Sequence, residues 1–234
     1  NAQLKIEFAG TNALAINHDY VTVRGIAFAS VAVNLITRQQ FGVGLVPTYS
    51  TILGGNYFGW RADGRTPVGG ANGARITLNN GQSVNIGGAR VGGPNAADRN
   101  LITYVALGDG VTISGSSGAV IEGNVINLDR DGNVVSGAST NQGIASDVGG
   151  NEQNIVRRNT IANTRESGIS CSAGAGLTVT ENEIYNVNLS MQAHPRGIAM
   201  APECNRGQAA PVITSVVEGA AVAVQGTLNS VAGE

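Results

Sequence analysis

The sequence predicts an all-β chain wound as a parallel β-solenoid of about seven to eight coils, with a short β tail at its C-terminal end. Three observations carry that expectation. Glycine supplies 34 of the 234 residues and asparagine 24, with no collagen period and with 42% hydrophobic residues. Such a chain makes many tight turns around a core and is not disordered. No segment holds a sustained apolar stripe at helical spacing, so helices are absent or trivial. Two short strand patterns alternate along the chain, and one of them carries an asparagine at a fixed place.

The chain opens on an alternating stretch, Leu4, Ile6 and Phe8, and starts at Asn1, which reads as a processed or trimmed chain. Val23-Arg24-Gly25-Ile26-Ala27-Phe28 follows the first pattern but puts Ile26 in the asparagine place, so a ladder of asparagines should begin after it. The pattern then runs through Ile52-Leu53-Gly54-Gly55-Asn56-Tyr57-Phe58 and Asp98-Arg99-Asn100-Leu101-Ile102. It continues as Val120-Ile121-Glu122-Gly123-Asn124-Val125-Ile126, Ile155-Val156-Arg157-Arg158-Asn159-Thr160-Ile161 and Val179-Thr180-Glu181-Asn182-Glu183-Ile184. The steps from Asn56 to Asn182 are 44, 24, 35 and 23 residues. The first is long enough for two turns, with Val84-Asn85-Ile86 in the one between.

The second pattern is a glycine followed by alternating apolar residues. It recurs at Gly42-Val43-Gly44-Leu45, Gly73-Ala74-Arg75-Ile76, Gly110-Val111-Thr112-Ile113, Gly143-Ile144-Ala145, Gly168-Ile169-Ser170-Cys171 and Gly197-Ile198-Ala199-Met200. A β-sandwich would want longer strands and tighter hairpins. Stacked coils instead set equivalent residues ~4.8 Å apart, so inward asparagines bond from coil to coil beside a column of Ile, Val and Leu. A rod roughly 35 Å long results.

Composition narrows the function classes. The formal net charge is −2, and 14 basic against 16 acidic residues is too balanced for a polybasic nucleic-acid binder. Aromatic residues make up 4%, which argues against stacking platforms as a main theme. No run of ~18 apolar residues predicts a membrane span, and no signal peptide is visible. Cys171 and Cys204 show no zinc spacing; one bridge or two buried thiols remain open.

The repeats carry a resemblance. Asn85-Ile86-Gly87-Gly88, Arg99-Asn100-Leu101-Ile102, Gly110-Val111-Thr112-Ile113-Ser114-Gly115-Ser116 and Gly55-Asn56-Tyr57-Phe58-Gly59-Trp60-Arg61-Ala62-Asp63-Gly64 match the form IGG…RNxI…GVxIxGS…GNxIGTDxxG. The chain resembles the right-handed parallel β-helix superfamily, the pectin-lyase-like fold, over residues 4–205. Within it, the chain is similar to bacterial secreted and cell-surface repeat proteins. The expected division is a β-helix over 1–208 and a β tail over 209–234. The tail holds two β runs, Val212–Val217 and Ala220–Val224, joined through Glu218-Gly219. The resemblance implies the start of an immunoglobulin-like module there; a cap or a donated strand are the other readings.

The resemblance also implies where chemistry would sit, on the outer face of one sheet. Lyases there use an Arg or Lys base, often with Ca²⁺, and hydrolases use paired carboxylates. The glycine-initiated strands give a first outward row of Gly44, Arg75, Thr112, Ala145, Ser170 and Ala199. The second row is Val46, Thr77, Ser114, Asp147, Ser172 and Ala201. Only Arg75 and Asp147 in these rows do proton chemistry, and neither has an obvious partner. The face is otherwise flat, with Thr77, Thr112, Ser114, Ser170 and Ser172.

Elsewhere the charges have structural readings. The coil alignment sets Glu122 beside Arg157 and Arg158 beside Glu181, as ion pairs on the outside worth a few tenths to ~1 kcal/mol each. Asp129-Arg130-Asp131-Gly132-Asn133 reads as a plain turn, with a Ca²⁺ site through Asp129 and Asp131 as the sharper alternative. Otherwise no metal or cofactor is called for. His18 and the His194-Pro195-Arg196 loop read as solvated, and Trp60 as a loop cover rather than a sugar platform. The glycine pairs read as bends.

The leading expectation is a secreted or bacterial cell-surface structural or adhesive module. It would be non-catalytic, self-assembling through its tail and flat face, and would meet its own copies or neighbouring chains. The alternative is a polysaccharide-active lyase or hydrolase, or a carbohydrate-binding protein, whose site would gather Asp129, Asp131, Asp147, His194 and Arg196. Binding of ice or a crystal surface by the Thr/Ser/Ala face is a third reading.

Overall fold

The computed structural model describes residues 6–9, 14–16, 20–29, 33–36, 38–39, 45–46, 51–68, 76–79, 89–103, 108–114, 118–148, 153–174, 176–187, 196–205, 212–217 and 223–227. Most of the strands fall into three parallel sheets, and each circuit of the chain adds one strand to each. The first sheet stacks Ile6–Phe8, Ile26–Phe28, Tyr57–Phe58, Leu101–Ile102, Val125–Ile126, Thr160–Thr164 and Glu183–Val187. The second stacks Leu14–Ile16, Val33–Ile36, Ile76–Asn79, Val111–Ser114, Ile144–Val148, Ser167–Cys171 and Arg196–Met200. The third has six strands: Thr22–Arg24, Ile52–Gly54, Arg90–Gly92, Val120–Glu122, Ile155–Arg157 and Thr178–Thr180. The architecture is a parallel β-helix.

Register explains why these segments are strands. Side chains alternate in and out along a strand, and every coil offers an apolar residue at the same inward place. In the first sheet Phe28, Phe58, Ile102, Ile126 and Ile161 follow one another in register, all buried. In the second, Ile76, Val111, Ile144 and Ile169 do the same. In the third, Leu53, Val91, Ile121 and Val156 complete one continuous core. The aromatic rings of Phe8, Phe28 and Phe58 stack at centroid distances of 6.2 and 5.0 Å.

Three expectations are corrected by the register. Tyr57 pairs directly with Leu101, so the 44-residue step from Asn56 to Asn100 is one coil, not two. Insertions lengthen that coil: a turn with a Trp60–Pro67 bridge, and a short 3-10 segment, Ala96–Asp98. Val84-Asn85-Ile86 and the Gly87-Gly88 pair lie outside the described residues. Next, the strand that joins the second sheet ahead of Ile76–Asn79 is Val33–Ile36, not the stretch from Gly42. Val33 and Leu35 match Ile76 and Leu78, whereas Leu45–Val46 pairs antiparallel with Arg38–Gln39 in a separate hairpin. Finally, Thr77 pairs with Thr112, so the outward rows shift by two residues in that coil. Arg75 and His18 lie outside the described residues.

The last coil is tied back to the one before it. Ala201 donates its N–H to the Cys171 carbonyl at 2.8 Å, and the 3-10 segment Pro202–Asn205 follows. A disulfide joins Cys171 to Cys204, with Cα atoms 6.1 Å apart, so of the two readings of the cysteines the bridge is the one found. Beyond it, Val212–Val217 and Ala223–Thr227 pair with each other in an antiparallel two-stranded sheet, separate from the three parallel ones. Val217 stands opposite Ala223, and residues 218–222, where the expected second run begins, lie outside the described residues. Among the described residues no helix is long and apolar enough to cross a membrane.

Candidate functional site

The corner between the third and first sheets is held by an asparagine column. Each side chain reaches back toward the preceding coil. Asn56 Oδ1 accepts from the Ile26 N–H at 3.1 Å, and Asn100 Oδ1 from the Asn56 N–H at 2.9 Å. Asn159 Oδ1 and Asn182 Oδ1 accept in the same way from the N–H groups of Asn124 and Asn159, each at 3.0 Å. The amide nitrogens donate to carbonyls of the coil before: Asn56 to Val23, Asn100 to Leu53, Asn124 to Val91, Asn159 to Ile121 and Asn182 to Val156. They also link side chain to side chain, as from Asn100 Nδ2 to Asn124 Oδ1 at 2.9 Å. These bonds satisfy a sharp bend that would otherwise bury unpaired backbone groups. Gly92 is required beside the column: its φ is +85°, and a Cβ there would sit 2.0 Å from the Glu122 carbonyl oxygen.

A second polar column, one the sequence reading did not single out, follows the first sheet. Thr103 Oγ1 donates to Asn127 Oδ1 at 3.1 Å, and Asn127 Nδ2 donates to Thr140 Oγ1 and the Ala162 carbonyl. Asn127, Asn163 and Asn186 all have positive φ, at 64°, 51° and 49°. Asparagine tolerates that left-handed conformation, so an asparagine three or four places after Asn124, Asn159 and Asn182 was the available signal.

The charged residues tie coils together. Glu122 is 0% exposed and sits under Arg157, with Arg157 Nε 3.0 Å and Arg158 Nη1 3.4 Å from its Oε1. The expectation of an outside pair is corrected for this carboxylate. Two arginines from the next coil cover it, so it is a buried, doubly paired charge. Arg158 also pairs with Glu181 at 2.7 Å, and there both partners are exposed. Arg61 meets Glu7 at 2.9 Å, Arg65 meets Asp131 at 2.6 Å, and Arg24 meets Asp98.

Of the residues proposed for a catalytic site, those described are not brought to one groove. Asp129 and Asp131 lie on the turn that follows the first sheet. Asp147 and Arg196 lie on strands of the second sheet, Arg196 exposed and opposite Ser167 two coils further on. Asp147 falls where the register slips, because Ile113 pairs with Ser146 but Ser114 with Val148; it is therefore not in a row with Ser114. His194 and Pro195 lie outside the described residues. Asp129 spends its oxygens on its own turn, accepting the N–H groups of Asp131 and Asn133 at 2.9 and 2.8 Å and Nδ2 of Asn133 at 3.2 Å. Burial pushes its carboxyl up, but those bonds and the Arg65 charge outweigh burial and hold it below the usual carboxylate range. A Ca²⁺ ion here would compete with Arg65 for Asp131. Among the described residues no three His, Cys, Asp or Glu side chains gather as metal ligands.

The flat face has a defined row. Thr77, Thr112, Ala145, Ser170 and Ala199 follow one another in register across the second sheet. Thr77, Thr112, Ser114 and Ser170 are half-buried and Ser172 is exposed. Ser170 hydrogen-bonds to Gln142, which itself donates to Glu166.

A cleft of about 490 Å³ opens instead on the outer side of the first sheet. Its floor is the outward row Tyr57, Leu101, Val125 and Thr160, in register. One rim is the 3-10 segment Ala96–Asp98 with Arg99, and the other is the turn Asp129–Gly132. Trp60 supports it from beneath, fully buried against Leu101 and Ala138, so this indole is a cover and not a platform. The turn at Asp129 repeats the one at Trp60: Trp60 bridges Pro67 and Leu128 bridges Val134 in the same antiparallel manner. The two turns join through the Arg130 N–H, which donates to the Gly64 carbonyl at 2.9 Å, and through the Arg65–Asp131 pair. Tyr57, Arg99 and Arg130 were not singled out by sequence. For Tyr57 and Arg99 the usable signal was position, since each flanks an inward asparagine; Arg130, on a turn, had none.

No family model matches the chain, and no curated protein and no solved structure matches it.

Proposed function

We propose that the chain is a non-catalytic structural or adhesive β-helix module of the cell exterior, belonging with the pectin-lyase-like superfamily. The observation that carries this reading is where the charged groups are spent. Glu7, Asp98, Glu122, Asp131 and Glu181 each hold an arginine of another coil, and Asp63 and Asp129 each brace a turn. Acid–base chemistry needs a carboxyl free to exchange a proton with a substrate; these are committed to stiffness. The Cys171–Cys204 bridge supports an oxidising compartment, hence a secreted or surface location. Three parallel sheets around an asparagine column support the superfamily assignment.

Self-association through the tail and the Thr/Ser/Ala face is part of the proposal. The paired tail strands form a two-stranded sheet, the kind of edge to which a neighbouring strand adds. The test has two readouts. Incubated with acidic and neutral polysaccharides, the chain should release neither new reducing ends nor unsaturated products. In the producing cell it should be accessible to added protease at the surface. Turnover that disappears in Asp129→Asn or Asp131→Asn would overturn the non-catalytic reading, and a protected, reduced intracellular chain would overturn the location. Sedimentation with and without residues 211–234 tests assembly: a truncated chain that associates unchanged removes the tail from it.

A further inference from the structure

We infer that Ser170 and Gln142 become joined by an ester bond that the chain makes on its own, with Glu166 as the proton carrier. The inference goes beyond the adhesive reading and does not rest on it.

The three side chains meet at the second sheet. Gln142 comes just before the strand Ile144–Val148, and Ser170 lies on the paired strand Ser167–Cys171 of the next coil. The main chain fixes both. The Gln142 N–H donates to Asp109 Oδ1 at 3.2 Å, and its main-chain carbonyl accepts from the Gly110 N–H at 3.1 Å. The next coil is anchored to the same segment. The Glu166 N–H donates to the Asn141 carbonyl at 2.9 Å, and the Gly143 N–H donates to the Ser167 carbonyl at 3.3 Å. From these anchors the Gln142 carboxamide meets two groups at once. Its oxygen is in contact with the Ser170 hydroxyl, and its nitrogen donates to Glu166 Oε2 at 3.3 Å. Ala145 and Ala199 flank Ser170 in register, so neither offers that hydroxyl a polar side chain instead.

Each group suits one part of an internal acyl transfer. The hydroxyl is the nucleophile, the carboxamide carbon is the electrophile, and the carboxylate moves the proton. The Ser170 oxygen bonds to the side-chain carbonyl carbon of Gln142, and the carbon–nitrogen bond breaks. The hydroxyl proton ends on the departing nitrogen, which leaves as ammonia. Glu166 already accepts from that nitrogen, and it delivers the proton there. No oxidant, metal or second reactant is consumed. A hydroxyl and an amide react sluggishly when free, but holding reacting groups in place is worth an effective concentration of up to about 10⁵–10⁸ M. All three residues are half-buried, which limits the access of water to the product.

The place gives such a bond a mechanical use. None of the described ion pairs joins two strands of the second sheet, and Glu166 is in none of them. The strand that carries Ser170 also carries Cys171, which is tied to Cys204. An ester would therefore continue the covalent tie one coil further back, to Gln142. The chain reacts once with itself and turns over no external substrate.

The test is the intact mass of the denatured whole chain, followed by peptide mapping. The parent should be lighter than its sequence by one ammonia, beyond the hydrogens lost to the disulfide. After reduction, trypsin cutting at Arg130, Arg157, Arg165 and Arg196 should leave the segments 131–157 and 166–196 joined. Hydroxylamine, which cleaves esters and spares amides, should separate them. Ser170→Ala and Gln142→Ala should each abolish the joined peptide, Ser170→Thr should keep it, and Glu166→Gln should lose most of it. A parent at full sequence mass, a joined peptide that survives Ser170→Ala, or one formed equally in Glu166→Gln would each overturn the inference. None of these results touches the adhesive reading, which has its own tests.

Discussion

At the residue scale, the asparagine column does more than fill space. Asn124 accepts from Asn100, and donates to Asn159 Oδ1 and to the Val91 carbonyl, all out of contact with water. Replacing it with alanine removes those bonds and strands their partners in the interior. A buried group left unpaired costs about 1–3 kcal/mol, so Asn124→Ala should destabilise by about 2–4 kcal/mol, read from the urea midpoint. The arginine pairs separate in the same experiment. Arg157→Ala uncovers a buried carboxylate and should cost on the order of 3 kcal/mol. Glu181→Ala breaks only an exposed pair, and a loss below about 1 kcal/mol is expected. Equal effects would mean that Glu122 is reached by water.

At the scale of elements, the last coil depends on its staple. Cys171 lies on a strand of the second sheet and Cys204 on the 3-10 segment that follows the final strand, 33 residues apart. Closing a loop of that length restrains the unfolded chain by about 3–4 kcal/mol in the chain-entropy account. The double variant Cys171→Ser, Cys204→Ser should lose about that much, and melting scans with and without reductant should show the same gap in the parent. The parallel stacking itself was legible in the sequence, because Ile102, Ile126 and Ile161 stand at one fixed distance from a recurring asparagine. The insertions were not. A loop such as the one from Trp60 to Pro67 adds residues without disturbing register, since Tyr57 still meets Leu101. Counting along the chain therefore mistakes one long coil for two. The outward rows failed for a related reason: a one-residue bulge at Asp147 and a two-residue offset at Thr77 both reassign neighbours while leaving the apolar period intact.

For the whole molecule, acid should be the disruptive condition. Hydrogen bonds from Arg24 and Asn95 hold the Asp98 carboxyl below its usual range. For Asp63 and Asp129, turn N–H groups, side-chain donors and the Arg65 charge prevail over the opposing effect of burial. Each binds its proton more weakly folded than unfolded, where a carboxyl titrates at about 3.9. Their contribution is therefore complete above about pH 4 and is lost as pH falls through the lower folded values. Urea midpoints should hold level from pH 7 to pH 5 and drop by pH 3; a profile flat to pH 3 would contradict the assignment. The candidate cleft was the least legible part of the molecule. It is assembled from Arg99 before one ladder asparagine, Tyr57 after another, and Arg130 on a turn one coil beyond, and no local pattern links the three.

The two ends of the helix are unlike. At one end Ile26 interrupts the amide column and Phe8 is 52% exposed; at the other, Asn182 is anchored and a covalent tie crosses the final circuit. Each circuit leans on the next, so the ties differ along the rod. In this chain, heat or a pulling force should open the Ile6–Phe8 circuit, where Ile6 and Ile26 hold the ladder place, before the circuit that the Cys171–Cys204 bridge ties down.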